Sequence, residues 1–383
     1  MTMIILMKIN IFNTESVFVI FEKGIKMRIL YVDNQIGGHH LEYLKSLAIS
    51  SQYDSVVILP ERIDLPDSIE QYFFSENVEK KNLSGYIKLI SFVKEVADSE
   101  KVDVIHFLNF DPLLKYFGVG LNKLKKYSVI VTFHHYRYSR LHDFARKRIY
   151  KCCKSGVVHT NSLLEYSNNH GIKNCVHIEY PVFKDYASIN VEESRRYWHI
   201  FDDKKVLLAL GGTRYNKGLD ILLKALDGID MPYHLIIAGK EDRYTEGFIK
   251  EKTENYKDKV ILKLRYLTDD EVQMFIAASD IIVLPYRKIF DGASGPLGEG
   301  VILGKCIIGP DHGSLGKIIS ENHLGYTFSS EDSDDLANII SKALKEEFVC
   351  DSLYNSYQES ISPDIFRKKY YDIYDMFTDG EDR

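Results

Sequence analysis

The chain has 383 residues, of which 45% are hydrophobic and 27% are charged, and its formal net charge is −6 at pH 7. This length is enough for two domains of ordinary size, and the balance of apolar and charged residues indicates a folded globular protein. The negative net charge gives no support to general nucleic-acid binding, for which a basic face is expected.

The first 26 residues contain two short apolar runs, at residues 3–7 and 17–21, with polar residues between them. The runs are too short for a membrane-spanning helix, and no small-residue cleavage site follows them. Residues 27–33 are typical of the first strand of an α/β domain. Two interpretations of residues 1–26 stay open, an added strand or a segment upstream of the native start codon, and we slightly favour the second.

From residue 27 onward, apolar runs of strand length alternate with segments of helical periodicity, which predicts an α/β fold with doubly wound parallel sheets. The pattern restarts at Val206, after a polar stretch that we interpret as a linker followed by a short helix. We therefore expect two Rossmann-like domains, residues 1–182 and 183–361. The predicted strands lie near residues 28–33, 55–59, 103–108, 128–133, 156–160, 175–179, 206–210, 233–238, 260–264, 280–284 and 306–308.

The five cysteines are spread along the chain as Cys152, Cys153, Cys175, Cys306 and Cys350. Their spacing matches neither a disulfide framework nor a metal site. We therefore expect reduced thiols, as in a cytosolic protein, and no metal ion.

Histidines follow two predicted strands of the first domain. Gly38, His39 and His40 lie between the first strand and a helix, where a glycine turn lets the backbone approach a ligand. His134 ends another strand, and the carboxyl ends of parallel strands are the usual place for ligands. The alternatives are a simple turn at Gly38, a histidine satisfied within the core, and an exchange of roles between His134 and His135.

Residues 137–154 contain seven cations and one acid, with apolar residues at helical spacing. Such a basic amphipathic helix can lie on an anionic membrane surface or face a lipid diphosphate. The equally favoured alternative is a solvated helix that packs on its own domain.

A cationic loop follows the strand that begins at Val206. The loop contains Gly212, Thr213, Arg214 and Lys217 and leads into a leucine-rich helix. Cations just past a strand end are well placed to neutralise phosphate. The loop is not a P-loop, because its lysine precedes the glycine instead of following it.

Two carboxylates eight residues apart, Asp291 and Glu299, bracket a glycine-rich turn that is predicted to begin a helix. Backbone N–H groups of Ser294, Gly295 and Leu297 at the positive helix end suit a diphosphate, and the carboxylates suit sugar hydroxyls. The pattern therefore predicts a sugar-nucleotide site, against the alternative of an ordinary strand-to-helix turn.

In this context the segment from Asp291 to Glu299 resembles the Glu-x7-Glu motif of family 4, group 1 glycosyltransferases, with aspartate in place of the first glutamate. The loop around Lys217 is similar to that family's Lys-Gly loop, and Lys217 matches its donor-phosphate lysine. The commonest family motif has an arginine where this chain has Gly212, and Arg214 matches a less common variant. The resemblance implies the GT-B architecture, in which two Rossmann-like domains face each other across a cleft and the last helix, within residues 362–383, crosses back to the N-terminal domain.

The same resemblance implies a retaining, metal-independent glycosyltransferase of the hexosyltransferase type. It would move a sugar from a nucleotide-diphosphate sugar to a hydroxyl of a glycan or lipid-linked acceptor, without a cofactor, in bacterial surface polysaccharide or glycoconjugate synthesis. We expect it in the cytoplasm, and on the inner face of the membrane if the cationic helix meets lipid. The alternatives are a catalytically degenerate GT-B partner subunit of a glycan-assembly complex and an epimerase acting on a nucleotide sugar.

Roles for single residues follow from the resemblance. Lys217, with Arg214, would stabilise the leaving diphosphate, Glu299 would hold the ribose, and Asp291 would contact the donor sugar. Histidines would line the acceptor side of the reaction cleft, namely His39, His40 and His134. Four residues lie where relatives contact the base, namely Gly239, Lys240, Tyr266 and Leu267.

Overall fold

The computed structural model describes residues 4–9, 17–22, 26–37, 39–49, 52–76, 82–186, 189–290 and 294–377. The chain divides into two compact units. The first consists of Met1–Val157, Gly171–Cys175 and Tyr371–Arg383, and the second of Val158–His170 and Val176–Tyr370.

The strands form one small hairpin and two large parallel sheets. The hairpin pairs β1 and β2 antiparallel, the seven-stranded sheet has the order β5-β4-β3-β6-β7-β8-β9, and the six-stranded sheet has the order β12-β11-β10-β13-β14-β15. The bounds are β1 Ile4–Ile9, β2 Val17–Glu22, β3 Arg28–Val32, β4 Asp54–Leu59, β5 Glu70–Phe73, β6 Val104–Phe107, β7 Ser128–Phe133, β8 Ser155–Val158, β9 Cys175–His177, β10 Val206–Leu210, β11 His234–Ala238, β12 Val260–Lys263, β13 Ile281–Val283, β14 Cys306–Pro310 and β15 Gly325–Phe328.

Helices connect the parallel strands. Their bounds are α1 His39–Ala48, α2 Leu83–Ser99, α3 Arg140–Tyr150, α4 Asn161–Asn169, α5 Val191–Tyr197, α6 Leu219–Asp227, α7 Glu246–Lys252, α8 Asp269–Ala278, α9 Gly295–Ile302, α10 Gly313–Glu321, α11 Ser333–Lys345, α12 Ser352–Ser360 and α13 Pro363–Asp375. Short 3₁₀ turns cover Asp111–Tyr116, Leu121–Leu124, Tyr215–Lys217 and Glu254–Lys259. Among the described residues, no helix is both long and apolar enough to cross a membrane.

The central strands of both sheets are mostly apolar because helices cover both faces. Leu30 and Ile105 are fully buried in the first sheet, as are Leu208 and Ile282 in the second. The parallel strands predicted from the sequence are confirmed within two residues at each end. Two strands, β5 and β15, were not predicted, and both are half-buried edge strands with a mixed polar sequence.

The last helix, α13, contributes residues to both units. Its residues from Tyr371 onward belong to the first unit, where the Tyr374 hydroxyl lies 2.7 Å from Nδ1 of buried His106. The Tyr53 hydroxyl donates a hydrogen bond to the Asp375 carboxylate in the same unit. These polar contacts fix the end of α13 among the strands of the first sheet.

Candidate functional site

Two glycine turns at the carboxyl ends of β10 and β11 lie against each other, backbone on backbone. Gly211 N–H donates a hydrogen bond of 2.8 Å to the Ala238 carbonyl. Gly239 has a φ of +140°, and a Cβ there would lie 2.2 Å from the Gly211 carbonyl oxygen. A larger residue has no space at Gly239, so this glycine is what allows the two turns to meet.

The predicted ligand Thr213 holds this loop together. Its buried hydroxyl donates to the Tyr244 carbonyl at 2.8 Å and accepts from the Asp242 N–H at 2.8 Å. Because the hydroxyl is used in this way, the structure gives Thr213 a role in loop conformation. Gly212 precedes it, and a Cβ there would lie 3.5 Å from the Lys240 carbonyl oxygen.

The turn that carries Lys217 is pressed against the loop after β13. Gly218 ends the turn with a φ of +64°, and a Cβ there would lie 1.9 Å from the Pro285 carbonyl oxygen. Arg287 ties the same two loops together, since its N–H donates to the Asn216 carbonyl at 3.0 Å. Its guanidinium lies 2.6 Å from Asp220 and 3.0 Å from Glu331. No local spacing in the sequence indicates this clamp.

Lys217 is a desolvated cation beside two aromatic rings. Its Nζ lies 3.7 Å from the Tyr286 ring centre and 4.2 Å from that of Phe290. Burial, and then the charge of Arg214, lower the pKa of Lys217 to about 7. The ring faces favour the cation and offset part of this shift. Among the described residues neither Lys217 nor Arg214 forms an ion pair, so both charges are available to an anion.

Helix α9 begins at Gly295, as the sequence predicts, and Ser294 occupies its N-cap position without a side-chain cap. The Ser294 hydroxyl lies 3.3 Å from the Tyr286 hydroxyl, which connects the helix start to the ring beside Lys217. Leu297 N–H already donates to the Ser294 carbonyl at 3.1 Å. Asp291 lies outside the described residues.

Glu299 is mostly buried, with 16% of its side chain exposed. Its Oε1 lies 3.1 Å from Nζ of Lys184, and that ammonium also lies 3.0 Å from Asp269. Burial raises the pKa of the Glu299 carboxyl, and the Lys184 charge opposes the shift. Lys184 was not predicted as a site residue because it falls in the segment interpreted as a linker, where its charge alone carried no signal.

Of the four residues predicted to contact the base, Lys240 and Tyr266 are exposed and Gly239 is buried. Lys240 Nζ donates to the Tyr266 hydroxyl at 3.1 Å, which raises the pKa of Lys240. Tyr266 is 75% exposed, whereas Leu267 is partly buried and packs against the core of the second unit. The structure therefore brings Lys240 and Tyr266 together as an exposed pair.

In the first unit, His40 and His134 lie near each other, with ring centres 6.0 Å apart. Nδ1 of His40 lies 3.1 Å from the buried Asp33 carboxylate, whose pKa is raised by burial against the effect of His40. Asp33 was not predicted from the sequence as a site residue. Its position directly after β3, at the carboxyl end of a parallel strand, is the pattern that could have indicated it. Gly38 lies outside the described residues, as does the side chain of His39, which begins α1.

His134 has a fixed ring orientation, because its Nε2 donates to the Leu108 carbonyl at 3.0 Å. The backbone N–H groups of His134 and His135 donate to the Asp111 carboxylate at 2.8 and 3.0 Å. Asp111, which the sequence did not single out, therefore shapes the turn after β7.

The cationic segment 137–154 contains α3, and one of its seven cations faces inward. Arg146 is 1% exposed, because its guanidinium pairs with Asp143, donates to the Arg137 carbonyl at 3.1 Å and lies 4.2 Å from the Tyr136 ring centre. The expectation that this residue could meet a membrane was wrong. The exposed side of the segment, which we call the α3 surface, consists of Arg137, Tyr138, Arg140, Leu141, Phe144, Lys147, Arg148 and Lys151.

Within the described residues, no group of three or more histidine, cysteine, aspartate or glutamate side chains is arranged to hold a metal ion. The sequence contains one Asp-x-Asp pattern, at Asp332 and Asp334. There the Asp332 carboxylate caps α11 by accepting from the Asp334 N–H at 2.9 Å and the Asp335 N–H at 3.0 Å.

Comparison with known proteins finds glycosyltransferases in two ways, by a sequence profile that matches the second unit and by solved structures that share the fold. Residues 190–360 match the profile of the family described as glycosyl transferases group 1. An uncharacterized glycosyltransferase of Methanocaldococcus jannaschii is 28% identical over 140 residues, which cover 37% of this chain and 38% of that relative. The structure of a glycosyltransferase from Rickettsia africae has a TM-score of 0.74 at 18% identity and covers 93% of this chain and 100% of its own. The structure of Anabaena HepE in complex with UDP has a TM-score of 0.70 at 14% identity, and the match covers 91% of this chain and 100% of HepE.

These likenesses define a GT-B fold with parallel sheets of seven and six strands. The group 1 match lies within the second unit, the unit that contains Lys217 and Glu299. The chain spans 38% and 47% of the lengths of the two curated relatives that it matches.

Proposed function

We propose that the protein is a retaining, metal-independent glycosyltransferase of family 4 and the hexosyltransferase type, which uses a nucleotide-diphosphate sugar as donor. The observation that carries this proposal is the arrangement of charges in the second unit. Lys217 and Arg214 have no acidic partner among the described residues, and the turn that carries them is held against the loop that leads to α9. The mostly buried carboxylate of Glu299 lies one turn further along that helix. Cations for a diphosphate and a carboxylate for a ribose thus lie on neighbouring segments.

The chemistry follows from where charge develops. Breaking the bond between the sugar and the phosphate leaves negative charge on the diphosphate. Fixed cations and backbone N–H groups in a water-poor site stabilise such charge more strongly than water does. Lys217 meets this requirement because it is already desolvated and held against two rings. The positive end of α9 would act on the same diphosphate.

On the acceptor side, we propose a hydroxyl of a glycan or lipid-linked acceptor near His40 and His134, as in bacterial surface polysaccharide or glycoconjugate synthesis. The α3 surface supports a location in the cytoplasm at the inner face of the membrane. It combines cations with exposed apolar side chains, of which Leu141 is 62% and Phe144 53% exposed. Basic and apolar groups on one helix face are the features that bind anionic lipid.

The test is calorimetric binding of nucleoside diphosphates, followed by transfer assays with the corresponding sugars. UDP is tested first, because Anabaena HepE, which shares the fold, was crystallised with UDP. We expect Glu299→Gln to weaken nucleotide binding by roughly tenfold or more, since it removes charge-assisted hydrogen bonds, and to leave the fold intact. Binding of no nucleoside diphosphate by the wild type would refute the proposal. Binding without any transfer would favour a catalytically degenerate partner subunit.

A further inference from the structure

A lysine that precedes α5 holds the carboxylate that we assign to the nucleotide ribose. Lys184 Nζ lies 3.1 Å from Oε1 of Glu299 and 3.0 Å from Oδ1 of Asp269, the first residue of α8. All three residues belong to the second unit. The ammonium thus bridges a mostly buried carboxylate and an exposed one.

The ionisation of Glu299 depends on its neighbours because water reaches it poorly. Burial raises the pKa of this carboxyl, the charge and hydrogen bond of Lys184 lower it, and Asp269 raises it further. The buried Tyr186 hydroxyl lies next to the carboxylate without the geometry of a full hydrogen bond, and it also lowers this pKa. A buried carboxylate that loses its cation tends to take up a proton.

We propose that Lys184 is a positioning residue that keeps Glu299 ionised and oriented to accept hydrogen bonds from the ribose hydroxyls. This inference rests on the proposed function and adds a residue to it. A carboxylate offers about four lone-pair sites, so the ribose and Lys184 can bind it together. Since the ribose is held alike in the ground state and the transition state, losing Lys184 would raise KM and change kcat little.

The opposite role for Lys184 makes the opposite prediction. If the lysine occupied the place of the ribose and competed with it, its removal would tighten nucleotide binding. The geometry favours support over competition, because Lys184 also pairs with Asp269 and does not depend on Glu299 alone for a partner.

The first experiment measures the pKa of Glu299 by carbon NMR of its carboxyl group in the protein without ligand, with Glu299→Gln to assign the signal. We expect Lys184→Met to raise this pKa and Asp269→Asn to lower it, because the two substitutions remove charges of opposite sign. Lys250→Met is the matched control, since Lys250 forms an exposed pair with Glu246 at 2.6 Å. An unchanged Glu299 pKa in Lys184→Met would overturn the inference while leaving the proposed function intact.

The second experiment measures UDP affinity by calorimetry and, with an active donor, KM and kcat. We expect Lys184→Met to weaken binding roughly tenfold, and more at lower than at higher pH, because less of Glu299 is ionised at lower pH. Lys184→Arg should retain most of the affinity because it keeps the charge. Tighter binding by Lys184→Met would overturn the inference. Absence of nucleotide binding by the wild type would overturn the proposed function and the ribose role with it, whatever the NMR titration shows.

Discussion

The ammonium of Lys217 lies 3.7 Å from the centre of the Tyr286 ring, and the Tyr286 hydroxyl in turn lies 3.3 Å from that of Ser294, at the start of α9. One aromatic side chain thus connects the cation of one loop to the helix terminus reached by another. An anion bound at either position would therefore have the other nearby.

We expect Lys217→Ala to lower kcat/KM by roughly 10² or more, comparable with the loss of one preorganised group that stabilises developing charge. Steady-state kinetics with the preferred donor would measure this, and thermal unfolding would confirm that the variant is folded. Lys224→Ala is the control, because Lys224 is an exposed lysine on the following helix α6. Equal losses in both variants would remove Lys217 from the proposed site.

The titration of Lys217 should appear as proton uptake when a nucleotide binds. Because its pKa is lowered to about 7, this lysine is partly neutral above that pH in the free protein, and a diphosphate favours the ammonium form. Uptake should therefore grow from about pH 7 to about pH 8 and approach one proton, while affinity falls as the pH rises. Calorimetry in buffers of different ionisation enthalpy measures the uptake. Lys217→Arg, which stays charged, should abolish it, and identical enthalpies in all buffers would contradict this expectation.

The glycine after Lys217 should be required for folding of the loop. We expect Gly218→Ala to cost at least about 2 kcal/mol, because the residue has a positive φ and its new Cβ would meet the Pro285 carbonyl. For a unit of this size each kcal/mol lowers Tm by roughly 2–4 °C. Gly228→Ala is the control, since Gly228 has a φ of −95° and a Cβ there would have no described atom within 4 Å beyond its own chain neighbours. Similar Tm values for the two variants would show that the loop can move away from Pro285.

The α3 surface should determine whether the protein binds anionic lipid. Replacing Arg140, Lys147 and Arg148 together by glutamine should weaken binding to acidic vesicles roughly 10²-fold at low salt, at about 1 kcal/mol for each cation near the membrane. Cosedimentation with acidic and neutral vesicles at low and high salt measures this, because salt screens surface charge. The control replaces three exposed lysines elsewhere, Lys250, Lys252 and Lys257. Undiminished vesicle binding by the first variant would favour a solvated helix and a soluble acceptor.

The buried strands could be predicted from the sequence because short continuous apolar runs that alternate with helical segments are typical of buried parallel strands. The sequence did not predict β5 or β15, since an edge strand such as Glu70–Phe73 is covered on fewer sides and its sequence has no clear period. Helix boundaries near the site were predicted where glycine marks the turn, as at Gly295.

The site itself was predictable only where charge and glycine spacing are local. Lys217 and Glu299 each belong to a short motif, and the structure gives each of them a desolvated setting. Arg287 and Lys184 were not predictable, because their partners lie on segments distant in sequence and only the fold brings them together. Arg146 was misinterpreted for a related reason, since an i,i+3 acid and a nearby ring can bury one cation of an otherwise exposed helix.

The contact between Gly211 and Gly239 also bears on how this site can diversify. A larger residue has no space at Gly239, and Gly211 has a φ of +122° that other residues rarely adopt. Lys240 and Tyr266, in contrast, lie at the surface and contact mainly each other, so they can be exchanged without disturbing the backbone beneath them. On the hypothesis that Lys240 and Tyr266 contact the nucleobase, mutant libraries that aim to change the accepted base should vary these two positions and leave the glycines unchanged.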